Sequence, residues 1–232
     1  YDESFLHSIP VPDFWSVNGL SQYEAYANSG YPTDKIVKLE ALRDLGGKST
    51  ELSNDLGEKP NNKVPKILIV GEYDSIRMAS LMSVIEDFLL VNSQYHLTLK
   101  AHPACAAVTS QNPDSAMSEI FEPLSECLHK FDIVIAGNST HAALDAYIQG
   151  LQVIIYNDGD GFNLSPLRGN PNVTFIANAK ELLTTLNLLK NSTLEEVEGE
   201  EFFFRDESLP RWRGLLGSLA SRGNHDDTSR RV

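Results

Sequence analysis

The sequence predicts an α/β protein organised around a parallel β-sheet, and three observations carry that expectation. Between residues 66 and 190, short β-branched runs alternate with stretches whose apolar residues recur at helical spacing. Two of the runs, Lys66–Val70 and Phe131–Ala136, are apolar but for Lys66 and Asp132, the mark of strands buried on both faces. Small and polar residues separate these runs from the helical pattern that follows. Such alternation means βαβ units, and these build a parallel, Rossmann-like sheet.

Taken in order, residues 1–43 hold one short apolar run and an amphipathic stretch, Ser21–Asn28, stopped by Gly30 and Pro32. Residues 44–64 are rich in Gly, Ser, Asn, Lys and Pro without any period, and read as a linker. Lys66–Val70 is the first strand of the sheet. Met78, Leu81, Met82, Ile85 and Leu89 then form one apolar helical stripe, and Tyr95–Leu99 is the second strand. A short helix is expected over Ser118–Lys130, followed by the strand Phe131–Ala136 and a helix, Ala142–Ile148, stopped by Gly150. Strands at Val153–Tyr156 and Val173–Ile176 and a helix over Ala179–Lys190 complete the alternation. From Asn191 the chain turns acidic and passes Phe202, Phe203 and Phe204. It ends in a polar tail, 221–232, expected to be disordered.

Composition narrows the function. Nineteen basic against 32 acidic residues give a net charge of −13, which argues against nucleic acid or an anionic membrane as a partner. Two cysteines, Cys105 and Cys127, make neither a disulfide framework nor a zinc pattern and suit a reducing cytoplasm. No apolar run approaches the roughly 20 residues of a membrane span, and the first residues are unlike a signal peptide. The expected location is cytoplasmic, at most peripheral at the inner membrane face. A start at Tyr1 rather than Met is expected of an excised or processed piece. His141 and Asp145 lie four apart on a helix, but no third ligand is in reach by sequence and no metal is expected.

The loops carry the chemistry, because ligands of open parallel sheets bind outside the carboxyl ends of the strands. Four polar clusters fall there: Gly71–Asp74, Lys100–Pro103, Gly137–Thr140 and Asn157–Leu167. In the third, Asn138, Ser139 and Thr140 lead into a helix, where free N–H groups and hydroxyls would cradle an anion. The plainer reading makes Ser139 or Thr140 an N-cap, and the two readings are compatible. Pro103 biases His102 toward an extended conformation that would project its imidazole into the crevice; the alternative is a His that only caps a strand. Phe202–Phe204 and Trp212 read as packing residues.

As a set, these clusters resemble a known group of enzymes. A strand ending in His102 and Pro103, then one ending in Asn138, Ser139 and Thr140, resembles the paired HP and S/T motifs of bacterial sialyltransferases and Kdo transferases. The longer stretch Asn138–Ile154, with Asn163–Leu167, looks like bacterial O-antigen or capsule biosynthesis proteins. Val17–Gly19, Gly30–Pro32 and Leu39–Arg43 resemble the end of the N-terminal domain of a GT-B glycosyltransferase. Leu209–Arg213 resembles the terminal helix of such proteins.

The resemblance, spanning about residues 10 to 216, implies a Rossmann-like, C-terminal half of a GT-B fold. It implies domains at 1–43 (the tail of the N-terminal GT-B domain), 44–64 (linker) and 65–220 (nucleotide-sugar binding). The donor it implies is a CMP-sugar, Kdo or sialic-acid-like, with no cofactor. Its partners would be a glycan or glycolipid acceptor and the remainder of the N-terminal domain, in lipopolysaccharide or capsule synthesis. His102 and Pro103, with Asn138, Ser139 and Thr140, would hold the donor phosphate. Glu72 would meet ribose or base, and Ser165, Pro166 and Leu167 would border the nucleotide. Asp44 stands where the family has an aromatic residue, and no catalytic base is assigned. A UDP- or GDP-sugar transferase or epimerase, and a non-catalytic nucleotide-binding module, are the alternatives.

Overall fold

A computed structural model describes residues 12–42, 45, 64–108, 117–159, 161–189 and 200–226. The linker expected at 44–64 lies outside them except for Leu45 and Val64. The chain divides into two compact units, one of Tyr1–Lys48 with Glu198–Val232 and one of Ser49–Val197.

The larger unit is a six-stranded sheet in which every pairing is parallel. Its strands are β3 (Ile67–Val70), β4 (Leu97–Lys100), β5 (Met117–Glu119), β6 (Ile133–Gly137), β7 (Gln152–Tyr156) and β8 (Thr174–Ile176), in spatial order β5-β4-β3-β6-β7-β8. This is the arrangement that the alternation of strand and helix predicts. The central β3 and β6 are buried at every position, as their apolar runs require. One face packs against α2 (Ser75–Val91) and α5 (Ala179–Leu189), which meet each other. Ile67, Ile69, Ile133, Ile135 and Ile154 bury there with Met78, Leu81, Ile85, Phe88, Leu182 and Leu186. Full burial of each large apolar side chain contributes about 1.5–3 kcal/mol. The helix α4 (Ala142–Ile148) packs along β6 and β7 through Ala143, Leu144, Ala146 and Tyr147.

Local chemistry sets the helix ends. Asp74 caps α2, its carboxylate accepting the N–H groups of Ile76 and Arg77, each at 2.9 Å. A capping box starts α5: Asn178 Oδ1 accepts the Glu181 N–H while Glu181 accepts the Ala177 N–H.

The helix expected over Ser118–Lys130 is largely replaced. Met117–Glu119 form β5, pairing with the edge of β4, and the helix α3 is confined to Leu124–Cys127 with a 3-10 turn at Leu128–Lys130. Pro123 explains the late start, since its ring disfavours helical geometry at Glu122.

The smaller unit has two parallel strands, β1 (Trp15–Val17) and β2 (Ile36–Lys38), with α1 (Leu20–Asn28) between them in sequence. The distant segment 200–204 stitches to it: Leu20 N–H donates to Glu200 O, Phe204 N–H to Asn18 O and Ala41 N–H to Phe204 O. Pro210 then opens α6 (Pro210–Asp226), a position that suits a residue without an N–H. Residues 221–226 are therefore helical where a polar tail was expected, because α6 continues past Ser221; 227–232 lie outside the described residues.

Glu40 is fully buried at the start of α6. Its carboxylate accepts the N–H groups of Arg211 and Trp212 at 3.0 and 3.2 Å, with the Arg211 guanidinium 3.6 Å away. The same guanidinium lies over the Phe204 ring and bonds Glu200.

Candidate functional site

The strand order fixes where a site can form. From β3 the chain moves outward through β4 and β5, then returns to the other side of β3 for β6, β7 and β8. The direction reverses between β3 and β6, so their carboxyl ends open the crevice that ligands of such sheets use.

Glu72 stands at the end of β3, almost wholly buried. Its Oε2 accepts the Ser139 hydroxyl at 2.5 Å, while Oε1 is buried without a hydrogen-bond partner. Room for this carboxyl exists because residue 137, closing β6, is glycine; any Cβ there would run into it. A second glycine, Gly71, allows the ends of β3 and β4 to approach, since a Cβ would come within 2.7 Å of the His102 backbone nitrogen.

Beside Glu72 runs a chain of polar contacts. Arg77, in the first turn of α2, donates from Nη1 to Asn138 Oδ1 at 2.7 Å, and Asn138 Nδ2 donates to Asn157 Oδ1 at 2.8 Å. Asn138 is buried, so the relay fixes the guanidinium from below. A recess of about 10 Å³ is lined by Glu72, Arg77, Gly137, Asn138, Tyr156 and Asp158. That is space for a single water or one ligand hydroxyl, and anything larger must sit above it.

The sequence-predicted residues separate into two groups. Glu72, Asn138 and Ser139 converge on this crevice. His102 stands at the end of β4, on the opposite side of β3 from β6. Its Nδ1 accepts the Ala104 N–H at 3.1 Å and its ring meets Tyr73 edge-on at 5.5 Å, with exposed Pro103 opening the following turn. Thr140 serves as a local cap, its hydroxyl accepting the Ala142 N–H. The loop after β7 is held by its own turns: Asn163 Oδ1 accepts the Ser165 N–H and Ser165 Oγ accepts the Leu167 N–H. Leu167 is buried and Pro166 exposed.

The helix-start cradle also differs from the expectation. The Ser139 hydroxyl, expected to face an anion, donates to the Glu72 carboxyl group. The sequence reading missed Arg77, which sits in the first turn of the helix that follows β3. Its signal was there: a cation at the start of the first βα helix, where the carboxyl edge of the sheet lies.

Among the described residues no helix is long and apolar enough to cross a membrane. No protein-family model matches the chain, and no curated protein matches it either. Solved structures do. The glycotransferase of kitacinnamycin superposes with a TM-score of 0.52 at 11% identity, over 82% of this chain and 52% of that one. A variant of the wall teichoic acid polymerase TagF gives 0.50 at 12% identity, over 93% of this chain and 59% of that one. The chain thus spans a little over half the length of these proteins. What the likeness shows is the fold: this chain has the Rossmann-like α/β arrangement that these structures contain.

Proposed function

We propose that the chain is the donor-binding half of a glycosyltransferase that uses a nucleotide-activated sugar. The observation that carries the reading is the convergence of Glu72, Arg77, Asn138 and Ser139 at the β3–β6 switch crevice. In this reading a sugar nucleotide lies along the carboxyl edge, with its phosphate over the loop that follows β6. Backbone N–H groups and the Arg77 guanidinium would stabilise the negative charge that develops on the departing nucleotide. The names of the two similar structures, a glycotransferase and a cell-wall polymerase, support a transfer reaction. The donor we favour is a CMP-sugar of Kdo or sialic-acid type, used to build bacterial surface polysaccharide. His102, with Ser139, motivates that choice through its likeness to the HP and S/T motifs. The acceptor and the rest of the N-terminal GT-B domain would complete the enzyme.

Calorimetric titration with CMP, UMP and GMP tests the donor class. CMP is expected to bind at least about tenfold more tightly, which is roughly 1.4 kcal/mol. Equal affinity for the three would overturn the CMP-sugar assignment and favour a UDP- or GDP-sugar donor.

A further inference from the structure

The switch crevice contains two groups with unused capacity and opposite chemistry. Glu72 Oε1 is a buried acceptor with no partner among the described residues. A buried acceptor left open carries a desolvation penalty of about 1–3 kcal/mol, and native proteins leave few of them. The Arg77 guanidinium lines the same recess, half-buried, and donates through Nη1 to an amide oxygen, not to a carboxylate. Glu72 and Arg77 do not pair with each other, although both face one recess. The Asn138 and Asn157 amides hold Nη1 toward the β6 and β7 loops, and among the described residues the other N–H donors of the fork have no partner.

We propose that Glu72 and Arg77 form a two-point site for a phosphorylated polyol. One uncharged hydroxyl of the ligand enters the recess and donates to Glu72 Oε1, while Arg77 binds the phosphate of the same ligand above it. This rests on the donor-binding reading and deepens it: the charge on the phosphate is met by Arg77, a residue outside the HP and S/T motifs. Three observations favour it. The recess, about 10 Å³, is of the size of a single hydroxyl group. A phosphate entering the recess itself would meet two carboxyl groups there, Glu72 and Asp158, and at the start of α2 it would meet Asp74. Arg77 is the cation among the residues lining the recess, and a guanidinium held by a buried amide is pre-organised for two parallel bonds to a phosphate.

The hydroxyl can come from the ribose or from the transferred sugar, and the test separates them. Calorimetry on the 232-residue chain uses CMP, cytidine, 2′,3′-dideoxy-CMP and a CMP-sugar against wild type, Arg77→Ala, Arg77→Lys and Glu72→Ala. Arg77→Ala is expected to weaken CMP about tenfold or more while changing cytidine less than about twofold. Arg77→Lys, which keeps the charge and loses the fork, falls between and guards against a folding defect in the alanine variant. Glu72→Ala is expected to weaken CMP but not dideoxy-CMP if the ribose supplies the hydroxyl, and only the CMP-sugar if the transferred sugar does. Arg77→Ala binding CMP as wild type does, while wild type binds it well, overturns the proposal and leaves the donor-binding reading standing. So does a Glu72→Ala variant that keeps wild-type affinity for both CMP and the CMP-sugar. Wild type that binds no nucleotide of any base at millimolar concentration overturns the donor-binding reading itself, and the two-point site with it.

Discussion

Replacing Glu40 by Ala tests how the smaller unit is held together. The carboxylate is fully buried and serves two N–H groups that α6 cannot satisfy itself, at 3.0 and 3.2 Å. It also faces the Arg211 guanidinium at 3.6 Å. Hydrogen bonds to a charged group contribute about 1.5–3 kcal/mol each, and removing one partner of a buried pair costs about 3–5 kcal/mol. Arg211 keeps Glu200, so the lower end applies and Glu40→Ala is expected to destabilise by about 3 kcal/mol. Both tryptophans, Trp15 and Trp212, belong to this unit, so urea denaturation followed by tryptophan fluorescence reads its unfolding directly. A change below about 0.5 kcal/mol, the range of ordinary surface substitutions, would refute the reasoning.

The pH dependence of the same unit follows from this carboxyl. Burial pushes its pKa up, but the N–H groups of Arg211, of Glu40 itself and of Trp212, with the Arg211 charge, together outweigh burial and hold it below the usual 4.5. A depressed carboxyl pKa contributes stability that is fully present above the unfolded value and is lost as pH falls through the folded one. Wild type should therefore lose stability on acidification below about pH 4.5, and Glu40→Ala should lose less over the same window.

Two further outcomes are expected. Ser139→Ala leaves both oxygens of the Glu72 carboxyl without a partner and should lower the stability of the ligand-free chain by about 1–3 kcal/mol. His102→Ala, a half-buried ring with one local bond, should change it by less than about 1 kcal/mol, and thermal melts of the two variants compare them. Cys127 is buried, and burial pushes its thiol pKa above the usual value, so iodoacetamide at pH 8 should modify it only after denaturation. Rapid alkylation of native Cys127, read by mass spectrometry, would contradict its placement.

The sheet was legible because a strand buried on both faces has to be written in consecutive apolar residues. The run Ile67–Val70 and the pattern at Ile133–Ala136 leave little else for the chain to do. Strand β5 was not, since Met117–Glu119 is a three-residue edge whose identity depends on the open side of β4 rather than on its own pattern. The loops at the carboxyl edge could be found from their position after each strand. Which side chains meet there could not. That Ser139 bonds Glu72, 67 residues away, depends on the spatial adjacency of β3 and β6 and on the missing side chain of Gly137. The role of Glu40 was equally hidden, because its partners lie 171 and 172 residues downstream.

That separation has a consequence for how the molecule is made. The smaller unit is written in two pieces with the whole sheet unit between them, so a ribosome finishes the sheet before it supplies Arg211. Domains fold as units during synthesis, and the sheet can close as soon as β8 and α5 have emerged. Until then Glu40 lacks the N–H groups of Arg211 and Trp212, and Leu20 and Asn18 lack their partners in the segment 200–204. A released chain ending at residue 195 should thus carry a protease-resistant sheet and a protease-sensitive stretch over β1, α1 and β2. Only the arrival of α6 gives the Glu40 carboxylate these N–H partners and makes it the anchor of a helix.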